Sequence, residues 1–347
     1  MKILLVCDSS TTSNPYVQTL MSGLLQLNVT VDISCDELWA NNNYDIIHFQ
    51  WPEAVYKWNN HITQEQVVRL KTRVEELRSM GKKIVITCHN LRPHINKDDG
   101  VNALFPVIYE HCDLFIHMGR YSQEILSAEY PNAQHVIIPH HIYDGIYHFD
   151  KSKKICQKDL GLDKSKVNVL CFGEFRTDEE REFIIYLIKR MSSTRINFIV
   201  PGFYRKHWYA KSISETYKRI CKIREYKRLG LRFTSQYLSN AMTEKYFTAC
   251  DLVFIQRLNI LNSGNLPMGF HAGKVVVGVN AGNVGSILKE TGNPTFEANN
   301  VDSAKYAIEK AISLTYEGLG EKNKVLAEKE WSTEAVTKKL IDVYQNL

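Results

Sequence analysis

Side chains suited to acid–base and phosphate chemistry directly follow several apolar segments of this sequence. His89 follows the segment Lys83 to Cys88, and Glu53 comes a few residues after Ile46 to Phe49. Arg257 stands at the end of a third apolar run. Such runs predict buried strands, and functional groups converge in the loops at the carboxyl ends of parallel strands. A histidine or carboxylate there can act as a general base, whereas a guanidinium binds phosphate oxygens with bidentate hydrogen bonds.

The stretch Asp251 to Gly292 reads as strand, small-residue loop, helix, strand and glycine-rich turn. Its loop consists of Asn262, Ser263, Gly264 and Asn265. This construction presents backbone N–H groups and a helix N-terminus to a phosphate, which predicts a nucleotide-diphosphate site late in the chain. Ser263 and Gly264 would let the backbone approach the phosphate closely. An ordinary helix N-cap is the alternative interpretation of the loop, and the same residues can do both.

Short apolar strands alternate with helical segments along the chain, which is typical of parallel α/β architecture. In the first half, strands are predicted at residues 3–6, 29–33, 46–49, 83–88, 114–117 and 136–138, and helices at 16–27, 65–80 and 121–130. After a polar stretch, further strands are predicted at 167–173, 196–201, 231–233, 252–255 and 275–279. The last helices are predicted over 301–314 and 333–346.

A chain of 347 residues exceeds what one hydrophobic core usually supports, so we expect two domains. The predicted boundaries are 1–150 for the first domain, 151–166 for a lysine-rich linker, 167–328 for the second domain and 329–347 for a C-terminal helix. A content of 44% hydrophobic and 23% charged residues is ordinary for a globular protein, so composition alone excludes a fibrous or disordered chain.

Cysteine usage and hydropathy favour a cytoplasmic protein. The eight cysteines show no C-x-x-C spacing, and several lie in apolar strands, which indicates reduced thiols that serve as small hydrophobic residues. The apolar run from Met1 to Cys7 is too short for a signal peptide. No eighteen apolar residues run together, so the sequence predicts no transmembrane helix.

Positive charge is concentrated between Arg205 and Arg232, where ten lysines and arginines accompany two glutamates and four aromatic residues. A solvated helix that packs through Ile213, Ile220 and Ile223 explains this pattern most simply. A second interpretation is attraction to an anionic membrane surface, at about 1 kcal/mol for each basic residue close to the lipid. Nucleic acid is not expected as a partner, because no recognised binding motif accompanies the charge.

Four segments of the first half, taken in order, resemble loops of GT-B glycosyltransferases of the family 4-like group, in the branch related to the xanthan glucuronosyltransferase. They are His48 to Glu53 (His-x-x-Trp-Pro-Glu), Thr87 to His94 (Thr-x-His-Asn-x-x-Pro-His), Ile116 to Ser122 and Val136 to His140. In the second half, Gly173 to Arg176 resembles the Gly-x-x-Arg segment of these enzymes, and Asp251 to Gly292 resembles their donor-binding segment.

The resemblance implies a GT-B fold: two Rossmann-like α/β domains facing a cleft, with the last helix returning to the first domain. It implies transfer of a sugar from a nucleotide-diphosphate donor to a glycan or lipid-linked acceptor in the biosynthesis of a surface polysaccharide such as a capsule. His89 and Glu53 are then the catalytic candidates. The donor-binding candidates are Arg176, Arg181, Arg257, Asn262, Ser263, Gly264 and Asn265. No cofactor or metal is expected, because no Asp-x-Asp pair occurs.

The sequence departs from the family pattern at three positions. Ile260 and Met268 stand where two glutamates are usual, and Glu179 replaces a lysine for which Arg181 could substitute. A protein that binds nucleotide sugars without transferring them and a nucleotide-sugar epimerase are therefore alternatives. A nicotinamide dehydrogenase is disfavoured, because Asp8 to Thr12 stands where a G-x-G-x-x-G motif would follow the first strand.

Structural roles are the alternatives for individual residues. His89 could be a hydrogen-bonded structural histidine, and Glu53 a surface carboxylate that caps a turn. Arg176 could form a salt bridge with Asp178 or Glu174 instead of binding phosphate.

Overall fold

The structure is a computed structural model that describes residues 1–8, 15–40, 43–93, 98–191, 195–203, 212–229, 231 and 238–347. The chain divides into two compact units. Unit 1 comprises Met1–Gly145 and Glu330–Leu347, and unit 2 comprises Ile146–Lys329. The loop predicted after the first strand, the end of the motif at His94, most of the strand predicted at 231–233 and part of the basic stretch lie outside the described residues.

Unit 1 is built on a parallel sheet. Its strands are β1 (Lys2–Val6), β2 (Thr30–Ile33), β3 (Ile46–Phe49), β4 (Lys83–Thr87), β5 (Leu114–His117) and β6 (Gln134–Ile137). The strand order is β2-β1-β3-β4-β5-β6. The central strands β1, β3, β4 and β5 are almost entirely apolar and buried, as expected for parallel strands covered on both faces.

The α-helices described in unit 1 are α1 (Tyr16–Gln26), α2 (Gln64–Ser79), α3 (Asp99–Tyr109), α4 (Arg120–Glu129) and α13 (Thr333–Gln345). Short 3₁₀ helices cover Glu37–Trp39 and Pro52–Tyr56. Helix α2 shows how local sequence sets these elements, because Thr63 and Gln66 form a capping box at its start. Its buried residues recur at helical spacing: Val67, Leu70, Val74 and Leu77.

The C-terminal helix α13 packs against α1 within unit 1. Ser332 caps the helix, with its hydroxyl accepting a hydrogen bond from the first turn. Gly23 of α1 permits the close approach, because a Cβ there would lie 2.7 Å from the Cγ2 atoms of both Thr333 and Thr337. The packing carries Tyr344, which is 4% exposed, into the interior of unit 1. The predicted return of the last helix to the first domain is thus observed.

Unit 2 contains a second parallel sheet. The strands described are β7 (Val167–Leu170), β8 (Ile196–Ile199), β9 (Leu252–Phe254), β10 (Val275–Val279) and β11 (Thr295–Phe296). Their order is β11-β10-β9-β7-β8. The helices described are α5 (Lys153–Asp159), α6 (Asp178–Arg190), α7 (Ile213–Arg228), α8 (Asn240–Ala249), α9 (Asn265–His271), α10 (Gly282–Glu290), α11 (Val301–Tyr316) and α12 (Leu319–Glu330).

The polar stretch 151–166, predicted as a linker, contains helix α5. Cys156 and Gln157 of this helix are buried, and the Gln157 amide donates a hydrogen bond of 3.1 Å to the carbonyl of Ala249 at the end of α8. Two buried residues in seven leave no apolar pattern that local sequence could reveal. The stretch therefore belongs to the packed body of unit 2.

The two sheets share one topological feature that bears on function. In unit 1, β1 lies between β2 and β3, and in unit 2, β7 lies between β8 and β9. Successive connections leave β1 and β7 in opposite directions, which opens a crevice outside the carboxyl ends of the strands. Open parallel sheets bind ligands at such switch points. The α/β class with two parallel sheets is confirmed. In the described residues, no helix is both long and apolar enough to cross a membrane.

Candidate active site

Two loops whose backbones are in contact border the switch point of the unit 2 sheet. Gly173 follows β7 with φ +93°, a conformation that favours glycine. Gly202 follows β8, and a Cβ there would lie 2.1 Å from the Gly173 carbonyl oxygen. Both positions therefore require glycine, and the loop from Phe172 to Arg176 is held in one place at the sheet edge.

A buried carboxylate, Glu180 of α6, organises the arginines at this edge. Its Oε2 atom accepts a hydrogen bond of 2.7 Å from the backbone N–H of Arg176 and one of 2.6 Å from Nη1 of Arg257. The Glu180 side chain is 7% exposed and that of Arg257 is 12% exposed. Arg257 also donates to the carbonyl oxygen of Glu174. The loop after β7 and the end of β9 are thereby tied to the first turn of α6.

Two cations lie close together in this arrangement. Burial lowers the pKa of Arg257, and the nearby Arg176 charge lowers that pKa further. The Arg176 side chain is exposed, whereas its backbone is anchored by Glu180. The Asp178 carboxylate, considered above as an ion-pair partner of Arg176, pairs with Arg181 at 2.7 Å. The edge thus presents one exposed guanidinium beside one buried guanidinium.

Arg181 uses its guanidinium to join loops. Its Nε donates to the carbonyl of Phe203 at 3.1 Å, and its Nη2 donates to the carbonyl of Phe175 at 2.7 Å. Its Nη1 pairs with Asp178. All three nitrogens therefore have protein partners, and the side chain fixes the loops after β7 and β8 relative to each other.

The loop of Asn262, Ser263, Gly264 and Asn265 is fixed to its neighbours by side-chain amides. Asn265 donates to the carbonyl of Phe172 at 2.7 Å, and the buried Asn283 of α10 donates to Asn262 Oδ1 at 2.9 Å. The Ser263 hydroxyl accepts from the backbone N–H of Asn265 at 3.3 Å. The N-cap residue of α9 is Gly264, which makes no side-chain cap hydrogen bond, so the contact ties Ser263 to the first residue of the helix without capping it.

Two glycines have different roles here. Gly264 has φ −62°, an ordinary right-handed value, so the loop needs no left-handed residue there. Gly282 has φ +59°, and a Cβ on it would lie 2.2 Å from the Ile260 carbonyl oxygen. The glycine-rich turn therefore packs against the loop after β9, which local sequence alone did not indicate.

Gln256 at the end of β9 is a polar residue that motif reasoning missed. Its amide nitrogen donates to the carbonyl of Phe172 at 3.1 Å, and the residue is 1% exposed. Its Oε1 atom is buried and accepts no hydrogen bond from the described residues. Motif comparison does not identify a buried amide at a strand end as a candidate residue.

The edge of the unit 1 sheet holds His89 in a defined orientation. Its ring stacks on Trp51 with centroids 4.1 Å apart and planes 18° apart, and Tyr16 meets it edge-on at 4.8 Å. Its Nε2 lies 3.1 Å from Oε1 of Gln50. The side chain is half-buried. The structure thus brings together residues that follow β3 and β4 with one from the start of α1.

A buried polar network lies behind His89. Gln50 Nε2 lies 3.2 Å from His48 Nε2, which is also 2.8 Å from the Thr87 hydroxyl. The other ring nitrogen of His48, Nδ1, lies 2.6 Å from the Tyr344 hydroxyl of α13. His48 and Gln50 have no exposed surface, and burial lowers the pKa of His48 to about 3. His48 is therefore neutral at physiological pH.

Glu53 lies in the 3₁₀ helix Pro52–Tyr56, directly after Trp51. It is only 3% exposed, so the interpretation as a surface carboxylate is wrong. The reason is that the 3₁₀ helix packs its first four residues inward, a turn that the apolar pattern of the sequence does not reveal.

Among the described residues, no group of three or more His, Cys, Asp or Glu side chains could hold a metal ion.

Comparison with known proteins shows the fold. Sucrose-phosphate synthase from Thermosynechococcus elongatus is similar with a TM-score of 0.74 and 13% sequence identity, over 100% of this chain and 99% of that chain. HepE from Anabaena in complex with UDP-glucose has a TM-score of 0.69 and 13% identity, over 100% of both chains. The catalytic domain of starch synthase IV from Arabidopsis thaliana, bound to ADP and acarbose, has a TM-score of 0.68 and 11% identity, over 99% and 98%.

At these identities the likeness is one of fold, and the predicted GT-B fold is confirmed. No protein-family model matches the sequence, and no curated protein matches it. The predicted placement in the branch of the xanthan glucuronosyltransferase stays a prediction.

The ion pair between Glu180 and Arg257 gives a prediction for stability. Glu180→Gln leaves the buried guanidinium of Arg257 without its counter-charge, so we expect a loss of about 3 kcal/mol in the free energy of unfolding. The matched control is Glu179→Gln, which removes an exposed carboxylate from the preceding position of α6. Thermal unfolding of both variants is the measurement. Equal melting temperatures for the two would contradict the role given to Glu180.

Buried histidines of unit 1 give a prediction for pH dependence. Burial lowers the pKa of His48 and His117 to about 3 and that of His141 to about 4. An unfolded histidine titrates near pH 6.5, so between these values the unfolded chain binds protons that the folded chain does not. The free energy of unfolding should fall by about 1.4 kcal/mol per pH unit for each such histidine as the pH drops below 6.5.

Calorimetry between pH 7 and pH 5 checks this expectation. The midpoint temperature of the first unfolding transition should fall steeply as the pH is lowered. Unfolding at pH 5 should take up protons. A transition temperature that stays constant over this range would show that these histidines are not neutral in the folded state.

Proposed function

We propose that the protein is a glycosyltransferase that moves a sugar from a nucleotide-diphosphate donor to a hydroxyl of a glycan or lipid-linked acceptor. The observation that carries the proposal is the pair of guanidinium groups, Arg176 and Arg257, at the switch point of the unit 2 sheet. Cations at this position favour an anionic ligand such as a diphosphate. The similar structures of HepE with UDP and UDP-glucose, and of starch synthase IV with ADP, support this choice of ligand.

The donor-binding residues divide into ligands and supports in this proposal. Arg176 donates to the diphosphate oxygens, because its side chain is exposed while its backbone is anchored. Arg257 adds positive charge from its buried position. Ser263 and Gly264 offer backbone N–H groups of the loop that precedes α9. Asn262, Asn265 and Arg181 hold the surrounding loops in place.

The transfer has two sides. The bond between the anomeric carbon and the diphosphate oxygen breaks, and its electron pair leaves with the diphosphate, whose charge the guanidinium groups stabilise. The acceptor oxygen forms the new bond to the anomeric carbon and loses its proton. We assign proton removal to His89 rather than to Glu53, because Glu53 is almost completely buried whereas the His89 ring is half-buried.

The acceptor and the location of the enzyme are the most specific part of the proposal. We propose an acceptor used for a surface polysaccharide such as a capsule, and a cytoplasmic enzyme that works without a metal at the inner face of the membrane. In the described part of α7, Tyr217 and Ile220 are 69% and 42% exposed near the exposed Arg224 and Arg228. Aromatic and basic groups on one exposed helix suit an anionic lipid surface. Co-sedimentation with anionic vesicles at low and high salt tests this contact.

A thermal-shift screen against UDP, GDP, ADP and dTDP sugars tests the function directly. A ligand at one hundred times its Kd raises the free energy of unfolding by about 2.7 kcal/mol. Incubation with the stabilising donor and candidate acceptors then follows. Binding without product in any incubation would indicate a non-catalytic nucleotide-sugar protein, and a new sugar nucleotide formed without acceptor would indicate an epimerase.

Arg176→Ala tests the diphosphate contact. Because one charged hydrogen-bond partner is lost, we expect the Kd for the nucleoside diphosphate to rise about ten- to a hundredfold, which corresponds to about 1.5 to 3 kcal/mol. The melting temperature without ligand should hardly change. The control is Arg190→Ala, which removes an exposed arginine from the last turn of α6, where it pairs with Asp302. Equal affinity in both variants would remove Arg176 from the site.

His89→Ala tests the proposed base. A general base contributes about 10² to 10⁴ in rate, so we expect kcat to fall by that factor while nucleotide affinity stays within twofold. Glu53→Gln provides the comparison, because it removes the carboxylate of the other candidate base. If both variants keep near-normal turnover, neither residue is the base, although the diphosphate site in unit 2 could still stand.

A further inference from the structure

We propose that Gln256 is a positioning residue: its side-chain amide holds the Phe172–Gly173 peptide in place and thereby sets the loop that carries Arg176. The inference rests on the function proposed above, in which Arg176 binds the diphosphate of the donor. Gln256 follows β9 and is not among the donor-binding residues that the sequence predicts.

Two side-chain amides from different elements donate to one backbone carbonyl. Nε2 of Gln256 lies 3.1 Å from the carbonyl oxygen of Phe172. Nδ2 of Asn265, the first residue of α9, lies 2.7 Å from the same oxygen. A carbonyl oxygen has two lone pairs, so both are used here. The segment after β9 and the start of α9 thus hold the loop after β7 at one point.

The chemistry of the groups fixes the direction of these hydrogen bonds. A backbone carbonyl only accepts, so each amide must turn its nitrogen toward Phe172. Nε2 of Gln256 also lies 3.5 Å from the carbonyl oxygen of Gly173. Turning the Gln256 amide over would place its oxygen against two carbonyl oxygens, which repel it. The amide therefore has one favourable orientation.

This orientation leaves the other end of the Gln256 amide without a hydrogen bond. Its Oε1 atom is buried and accepts from no group of the described residues. A buried polar atom without a partner destabilises the folded state at least as much as one neutral hydrogen bond stabilises it. Gln256 therefore adds little to the free energy of unfolding, and its hold on the loop is the effect that remains.

The held peptide lies at the base of the loop that carries Arg176. Gly173 has φ +93°, and glycine is the most flexible residue, so its conformation depends on the contacts around it. Three residues later, the backbone N–H of Arg176 donates to Glu180 at 2.7 Å. Because this backbone carries the exposed side chain of Arg176, a shift of the Phe172 carbonyl displaces the guanidinium that binds the diphosphate.

Gln256→Met separates positioning from stability. Methionine is unbranched and of similar length, and it removes both ends of the amide. The Phe172 carbonyl keeps its hydrogen bond from Asn265, so it does not lose its last partner. We therefore expect a melting temperature equal to that of the wild type or higher. Gln256→Leu, which also lacks the amide, is the second variant should Gln256→Met fail to fold.

The matched control is Gln157→Met, which is the same substitution at another buried glutamine of unit 2. Nε2 of Gln157 also donates to a backbone carbonyl over 3.1 Å, that of Ala249. Ala249 precedes β9, whereas Gln256 follows it, so the control lies at the opposite edge of the sheet from the loop.

Amide hydrogen exchange reports the position of the loop without any ligand. The backbone N–H of Phe175 donates to the carbonyl of Gly202 at 3.3 Å, and that of Arg176 donates to Glu180. We expect both N–H groups to exchange about two- to tenfold faster in Gln256→Met, because one neutral hydrogen bond that holds the loop is lost. In Gln157→Met they should exchange as in the wild type.

Calorimetric titration with UDP and with ADP, which are bound in the similar structures, measures the consequence for the donor site. The Kd should rise about two- to tenfold in Gln256→Met and stay unchanged in Gln157→Met. Asn265→Ala combined with Gln256→Met should accelerate loop exchange by more than the product of the two single effects, because the Phe172 carbonyl then has neither donor.

The outcomes separate this inference from the proposed function. Faster loop exchange at an unchanged melting temperature, with weaker nucleotide binding, supports both. Faster loop exchange in a protein whose wild type binds neither nucleotide supports the hold on the loop and overturns the proposed function.

Three results overturn the role of Gln256. The first is loop exchange in Gln256→Met equal to that of the wild type. The second is a melting temperature that falls further in Gln256→Met and Gln256→Leu than in Gln157→Met. The third is faster loop exchange with unaltered affinity for a nucleotide that the wild type binds.

Discussion

Parallel pairing of the strands is the constraint on which this structure depends. Every strand pair described in both sheets is parallel, so each strand must be followed by a crossover that returns the chain to the same edge. All strands of a unit therefore end at one edge, and the polar residues that follow them gather there. Arg257 and Gln256 follow β9, and Gln50 and His89 follow β3 and β4.

Burial of polar groups at these edges requires that each finds a partner. Glu180 is nearly inaccessible to water, and it is tolerated because the backbone of Arg176 and the side chain of Arg257 donate to one of its oxygens. His48 is tolerated for the same reason, since Thr87, Gln50 and Tyr344 surround its two nitrogens. These requirements hold the arginine side chain of unit 2 and the histidine ring of unit 1 in defined positions before any ligand binds.

The structure of unit 2 gives a physical reason for one position at which the sequence departs from the enzymes that it resembles. Where a lysine is usual, Glu179 is exposed, and the following residue, Glu180, is turned inward to hold Arg257. In the function proposed here, the positive charge for the diphosphate comes from Arg176 and Arg257 rather than from a lysine. In the proposed function, donor recognition falls to the loop of Asn262 to Asn265, because Ile260 and Met268 stand where two glutamates are usual in the enzymes that the sequence resembles.

The sequence by itself determined the α/β class and many of the elements, although it did not reveal helix α5 in the stretch predicted as a linker. The predicted helices at 16–27, 65–80 and 333–346 differ from α1, α2 and α13 by one residue at their ends, because apolar spacing and caps are local signals. The polar residues at the strand ends, His89 and Arg257 among them, were found for the same reason.

Only the tertiary structure decided which of these residues cooperate. Tyr344 and His48 are 296 positions apart, and Arg257 and Glu180 are 77 apart, so no local pattern predicts either contact. Glu180 reads as an ordinary acidic residue in the first turn of a helix, and a surface carboxylate was one of the two interpretations of Glu53, but packing buries both. Hydrophobic periodicity tells which face of an element is buried, but the partner of a buried polar group depends on which elements the fold brings together.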